Sequence, residues 1–339
     1  MTYRAALIGC GNIGSLYAED SLIQGIYTHA GAYSACSDTT LVAVCDINAE
    51  KAKKCAEKWG VPAACTNLSA LLTEHSPEIV SVCTPDHTHA AIIEQILNTP
   101  SVVAILAEKP LTLDEKQARY LLHLAKEKNI LIAVNYSRRY SDGHKQIKNL
   151  IQTRTIGEIQ SVSGFYTKGI FHNGTHWIDL ARWLVGEITH IRGFDPLHGS
   201  EVDPNLSARL KFENGAEGFL HNLAAGAFSL FEMDIVGMEG RIRIIDSGHR
   251  IEFYCVTESP YYSGYKTLRK IDKQEEKVNN SLLNAVTNLV FCLKNNERPS
   301  CSGDDAMAAL HVAAALKRSA QNNGEEIITH GITIENAVL

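Results

Sequence analysis

The chain has 339 residues, 45% of them hydrophobic and 21% charged, with a formal net charge of -6 and a pI of about 6.2. That length exceeds one ordinary hydrophobic core and suits two domains, and the composition is globular rather than disordered. The acidic balance excludes a nucleic-acid-binding protein, which gathers basic residues to neutralise phosphates.

The first residues enter a strand at once (5–8), leaving no room for a secretory leader, and no apolar run reaches the ~20 residues that span a bilayer. The nine cysteines are scattered, odd in number and without a C-x-x-C pair, which points to a reduced, cytoplasmic protein. Further short apolar runs at 41–45, 79–83, 102–106 and 130–134 read as parallel strands covered on both faces. Between them the pattern predicts helices at 48–58, 67–74, 87–97 and 113–128, the last opened by a capping box of Thr112 and Glu115. Repeated strand–helix–strand units mean an α/β Rossmann fold, a doubly wound parallel sheet, over residues 1–134.

From 135 the pattern changes. A helix at 144–152 precedes an alternating strand at 159–163, and a helix follows at 175–185. A strand at 206–212 runs through Asn214-Gly215, a hairpin signal in which both turn residues accept positive φ, into another strand. Strands at 233–236 and 241–245, divided by Glu239-Gly240, make a second antiparallel pair, and helices at 281–294 and 303–321 close the chain. Residues 135–339 are therefore expected to form an α+β domain with a largely antiparallel sheet.

Gly9-Cys10-Gly11-Asn12-Ile13-Gly14 stands directly after the first strand, where it predicts a dinucleotide loop with the pyrophosphate on backbone N–H groups at a helix N-terminus. Asp46 ends the second strand, where a carboxylate accepts from the adenosine ribose and repels a 2′-phosphate, so NAD is favoured over NADP; the alternative is a capping Asp before Asn48. Its separation from Gly14 exceeds the usual ~20 residues, which implies an extended first connection through 17–37.

Three further segments carry chemistry. Cys83 to His89 lies at the third strand's C-terminal end and supplies the cofactor-loop residues Thr84, Pro85 and His89; its Cys and His have no metal-ligand spacing, so no metal is expected. Glu108-Lys109-Pro110 lies at the next strand end: Glu108 is placed with the cofactor residues, and the Lys109 ammonium at the edge of the nicotinamide pocket. In the third, His172, Asn173 and Asp179 are candidate substrate contacts. His176 falls in the first turn of its helix, where the macrodipole keeps a neutral base available; the alternative is a capping His176 beside a surface Asp179–Arg182 pair. Arg138, Arg139, Lys145 and Lys148 either hold a substrate diphosphate or form a solvated face, and Arg139 is the substrate contact named among them.

Gly9 to Gly14, Asp46, Thr84 to His89, Glu108-Lys109-Pro110 and His176 to Asp179 together resemble, in order and spacing, the Gfo/Idh/MocA oxidoreductases over essentially the whole chain. The resemblance implies an open C-terminal sheet that forms a homodimer or homotetramer. It also implies bound NAD(P) and a sugar, inositol or nucleotide-sugar substrate changed at one secondary carbon. Lys109 matches the family's active-site lysine and His176 its acid/base histidine. Two departures stand out: many members have Asp where this chain has His172, and their Asn-Arg-Arg segment reads Ser137-Arg138-Arg139 here. Two alternatives stand beside this reading: a redox-neutral NAD-dependent glycosidase, which nothing in the sequence excludes, and a non-catalytic NAD-binding sensor, against which the intact Lys109 and His176 speak.

Overall fold

The computed structural model describes residues 2–197, 202–224, 227–271 and 280–329. The chain forms two compact units, Met1–Ser141 with Asn279–Met307, and Asp142–Val278 with Ala308–Leu339. The first unit thus runs past residue 134 and takes in a late segment that a boundary there leaves to the second domain.

In the first unit, six strands among the described residues make a parallel sheet: β1 (Tyr3–Ile8), β2 (Thr39–Cys45), β3 (Ala64–Cys65), β4 (Ile79–Val82), β5 (Ala104–Ala107) and β6 (Leu131–Val134). Their order is β3-β2-β1-β4-β5-β6, with the doubly wound switch point between β1 and β4. Ala5, Ala6, Leu7, Val80, Val82 and Ile105 are fully buried, which is why these strands read as unbroken apolar runs.

The helices here are α1 (His29–Ala35), α2 (Ala49–Trp59), α3 (Leu68–His75), α4 (His89–Leu97), α5 (Glu115–Glu127) and α6 (Ser137–Tyr140). Side chains cap them locally: Thr28 accepts from Gly31 N–H, Asn48 from Glu50 and Lys51, and Asn67 from Ala70. The expected Thr112 cap is corrected. Asp114 accepts from Gln117 N–H at 2.9 Å and starts α5, while Thr112 Oγ1 donates to the Asp114 carbonyl.

The second unit contains α7 (Asp142–Gln152), α8 (Thr175–Val185) and nine strands among the described residues. They are β7 (Ile159–Tyr166), β8 (Ile188–Phe194), β9 (Ser207–Phe212), β10 (Glu217–Asn222), β11 (Phe231–Gly237), β12 (Gly240–Ile245), β13 (Arg250–Glu258), β14 (Lys266–Ile271) and β15 (Ile327–Ile328). Their order is β14-β13-β12-β11-β7-β10-β9-β8-β15, antiparallel except where β10 meets β7. The hairpin at Asn214-Gly215 is real, but its turn differs from the expected one. Only Gly215 has positive φ, at 89°, and Phe212 N–H bonds the Ala216 carbonyl across three residues, as in a three-residue loop.

Two more helices follow. α9 (Ser281–Asn295) packs on α1 and α6 in the first unit, and α10 (Gly303–Gln321) contains the last boundary between the units. All nine cysteines are free thiols. Among the described residues no helix is long and apolar enough to cross a membrane.

Candidate active site

In the first unit, the chain leaves β1 through a glycine loop whose three glycines meet different surroundings. A Cβ on Gly9, at φ 94°, would stand 2.5 Å from the Cys83 carbonyl oxygen, and one on Gly14 would stand 2.1 Å from that of Gly9. A Cβ on Gly11 would meet no atom of the described residues within 4 Å. Two glycines are therefore demanded by the protein's own packing, while the third borders open space where a backbone-bound anion can approach.

The helix expected directly after this loop is split. Residues 11–17 form tight turns leading into one 3-10 turn, Leu16–Glu19, and α1 starts only at His29. His29 and Ala30 N–H then bond the carbonyls of Ile13 and Gly14, both at 3.0 Å. α1 thus resumes the turn begun at Gly11 after an excursion at about 18–27, which accounts for the long spacing from Gly14 to Asp46. Asp20 helps divert the chain by accepting from Leu22 N–H at 2.9 Å.

Asp46 is tied to the loop. Its Oδ2 accepts from Cys10 N–H at 2.9 Å and its Oδ1 from Asn48 N–H at 2.8 Å, leaving the half-buried carboxylate with lone pairs for ribose hydroxyls. Thr84 and Pro85 follow β4 beside the glycine loop, with Thr84 N–H 3.0 Å from the place of a Gly9 Cβ. His89 is a correction. It is fully buried, with Nδ1 2.8 Å from the Pro110 carbonyl and Nε2 2.8 Å from the Thr84 carbonyl, so its ring braces two loops and has no face for a cofactor.

Glu108 and Lys109 leave the end of β5 half-buried, before a cis Lys109–Pro110 bond. Glu108 Oε1 receives His29 Nε2 at 2.9 Å and Asn135 Nδ2 at 2.6 Å. Burial pushes the Glu108 carboxyl up, but the His29 and Asn135 hydrogen bonds and the Lys109 charge prevail and hold it below the usual glutamate value. Asn135 Oδ1 is buried with no hydrogen-bond partner among the described residues. The open Gly11, the held Asp46 and this orphaned acceptor together fit a dinucleotide.

Arg139 is also corrected. It is 5% exposed, with Nη1 3.3 Å from Asp305 Oδ1 and 3.2 Å from the Ser300 carbonyl, so it serves the interior of the first unit rather than a substrate.

In the second unit, a π-helical turn, Gly169–Gly174, runs without a break into α8. Its first four N–H groups are met by one bracket. Gly169 donates to Asn205 Oδ1 at 2.8 Å, Ile170 to the Pro204 carbonyl at 2.9 Å, Phe171 to Asp203 Oδ1 at 2.7 Å and His172 to Asp203 Oδ2 at 3.2 Å. Thr175 Oγ1 donates to the Phe171 carbonyl at 2.7 Å.

This changes the reading of His176, whose helical run begins at Gly169 and not at Thr175. The macrodipole argument for a neutral base in a first turn therefore does not apply. His172 is exposed, and Asn173 and His176 are half-buried. Asp179, at 1% exposure, is closed off and offers no carboxylate to a substrate. Arg182 pairs with Glu187 through two bonds of 2.8 Å, and Asp179 and Arg182 are both buried, so neither belongs to a surface pair. Lys148 Nζ donates to the Trp183 carbonyl, and Lys145 lies 3.4 Å from Asp142, so both lysines are engaged within α7 and α8.

Sequence reasoning missed His29, Asn135, Asp203 and Asn205. The cluster Asp203-Pro204-Asn205 carries a turn and capping signal that points to its role. His29 has no local signal at all.

The profile described as "Oxidoreductase family, NAD-binding Rossmann fold" matches residues 3–136, and that of the "GFO/IDH/MocA C-terminal domain" matches 144–243. Myo-inositol 2-dehydrogenase of Thermotoga maritima is 24% identical over 343 residues, covering 93% of this chain and 96% of that protein. Inositol 2-dehydrogenase of Rhizobium meliloti is 25% identical over 341 residues, covering 94% and 97%. Levoglucosan dehydrogenase, solved with NADH and levoglucosan, superposes with a TM-score of 0.82 at 18% identity, covering 98% of this chain and 100% of that one, a likeness of fold.

Proposed function

The chain belongs to the Gfo/Idh/MocA oxidoreductase family, and from that membership we propose that it moves a hydride between a nicotinamide dinucleotide and a secondary carbinol carbon of a sugar, inositol or nucleotide sugar. In the oxidative direction the alcohol becomes a ketone, one hydride leaves with the cofactor and the hydroxyl proton goes to a base. NAD, when bound, supplies the hydride acceptor for oxidation and the donor for the reverse.

Gly11, Asn12 and Ile13 offer backbone N–H groups to the pyrophosphate, while Gly9, whose own N–H donates to the Cys45 carbonyl, and Gly14 shape the cofactor loop that presents them. Asp46 accepts from the adenosine ribose and disfavours a 2′-phosphate, so NAD is the cofactor rather than NADP. Thr84, Pro85 and Glu108 complete the cofactor contacts. Lys109 stabilises the developing alkoxide, His176 takes or gives the hydroxyl proton, and His172 and Asn173 bind the substrate. The observation that carries the reading is Gly11, whose missing side chain faces no atom of the described residues within 4 Å although its two partner glycines are tightly packed.

We place the chain in the cytoplasm, in keeping with nine free thiols. It associates as a homodimer or homotetramer through the second unit's sheet, a reading supported by Phe165 and Phe219, which stand exposed on neighbouring strands β7 and β10.

The test is absorbance in the NADH band while the purified protein and NAD+ meet sugars, inositols and nucleotide sugars in turn. A signal that builds with one class identifies the substrate. Tight dinucleotide binding with no net signal from any class rejects the dehydrogenase reading.

A further inference from the structure

A polar chain links α1, β4 and the residues that follow β5 and β6 in the first unit. His29, on α1, has no exposed surface. Its Nδ1 lies 2.9 Å from Ser81 Oγ on β4, and Ser81 Oγ lies 2.8 Å from the hydroxyl of Tyr33, one turn further along α1. Its Nε2 lies 2.9 Å from Glu108 Oε1, the atom that Asn135 Nδ2 also reaches at 2.6 Å. One proton arrangement satisfies every partner: Tyr33 donates to Ser81, Ser81 donates to Nδ1, and the Nε2–H donates to the carboxylate. Ser81, His29 and Glu108 therefore share the order of a hydrolytic triad, but Ser81 is fully buried and no acyl group can reach it.

The chain ends asymmetrically. Glu108 Oε1 carries two N–H donors, whereas among the described residues none donates to Oε2, and the side chain keeps 13% of its surface exposed. Next to it, the Asn135 amide has its NH2 committed to Glu108 and its buried Oδ1 without a partner among the described residues. A buried acceptor left unmet is destabilising until a donor arrives. Two acceptors held by the same clamp are thus left for a group that donates.

We propose that His29 is a positioning residue of the cofactor site: with Asn135 it fixes Glu108 Oε1, so that Glu108 Oε2 and Asn135 Oδ1 are presented as preset acceptors to hydroxyl or amide donors of the bound dinucleotide. This rests on the reading of Glu108 as a dinucleotide contact and adds the residues that aim it. His29 touches no ligand itself, and rotating the carboxylate away requires breaking a buried, charge-assisted hydrogen bond.

The experiment compares NAD+ affinity by isothermal titration calorimetry with the melting temperature of each unliganded protein. His29→Leu is expected to weaken NAD+ about tenfold or more, as loss of a hydrogen bond to a charged group does. His29→Gln, which keeps an amide N–H toward Glu108, is expected to recover most of that loss. Asn135→Leu carries the same test should His29→Leu not fold, with the same weakening expected. Thr39→Val removes a buried hydroxyl that bonds the Tyr33 and Cys36 carbonyls at the end of α1, and so reports destabilisation of that helix alone. It is expected to lower the melting temperature and leave NAD+ affinity within about twofold. The proposal is overturned if His29→Leu and Asn135→Leu bind NAD+ as the unaltered protein does, whatever their melting temperatures. It is equally overturned if Thr39→Val weakens NAD+ in proportion to its lost stability, since the network is then structural. Failure of the folded, unaltered protein to bind NAD+ is a separate result, and overturns the dinucleotide reading together with the proposal.

Discussion

Arg139 and Asp305 form an ion pair of 3.3 Å whose side chains are 6% and 18% exposed, joining residues far apart in sequence within the first unit. The Arg139 guanidinium also reaches the Ser300 carbonyl, and Asp305 Oδ2 accepts from Ser302 N–H at 2.9 Å. Removing Arg139 takes one guanidinium from Asp305, which keeps Arg298 Nη2 at 3.2 Å. Arg139→Met is therefore expected to destabilise the first unit by about 1–3 kcal/mol, read as a lower urea midpoint, with the substrate KM of the remaining folded enzyme unchanged.

The same pair sets an acid limit. Burial pushes the Asp305 carboxyl up, but Arg139, Ser302 and Arg298 together hold it below the usual aspartate value. A carboxylate depressed in the folded state contributes stability above its unfolded pKa and loses it as pH falls through the folded value. Urea midpoints should thus drop as pH is lowered past about 3.9, and less steeply in Arg139→Met. An acid limb of equal slope in both proteins would remove the pair from the explanation.

Gly11 and Gly14 predict opposite phenotypes. Gly11→Ala adds a methyl group where no atom of the described residues lies within 4 Å, so melting should be unchanged while NAD+ affinity falls by about 1.4 kcal/mol, tenfold, or more. Gly14→Ala places its Cβ 2.1 Å from the Gly9 carbonyl oxygen and should cost about 1–3 kcal/mol of stability, measurable without cofactor.

Asp203 holds the turn before His176. Asp203→Ala leaves the N–H groups of Phe171 and His172 without their carboxylate, a local loss of about 1–3 kcal/mol. The expected outcome is a lower kcat with NAD+ affinity unchanged, partly restored by Asp203→Asn, which keeps one carbonyl acceptor. Steady-state kinetics beside NAD+ titration reads both.

Lys109→Ala and His176→Ala are expected to bind NAD+ normally and lose about 10²–10⁴ in turnover, as removal of a positioned acid, base or charge does. Full activity in both variants would overturn their catalytic assignment.

The sequence by itself determined the elements whose signals are local. Strands β1, β2, β4, β5 and β6 were legible because burial on both faces demands an unbroken apolar run, and α8 because its buried stripe repeats at helical spacing. The glycine loop was legible for the same kind of reason: its demands fall on adjacent backbone. Strands β8, β13 and β14, with charged and half-exposed residues, had no such signature. Tertiary structure alone decided what depends on residues distant in the chain. Ile13 and Gly14 carbonyls are capped by a helix beginning at His29, Glu108 is clamped by His29 and Asn135, and the first N–H groups before α8 are met from 203–205. Each is a hydrogen bond between groups that no periodicity relates, so only the folded backbone, bringing donor within reach of acceptor, could select them.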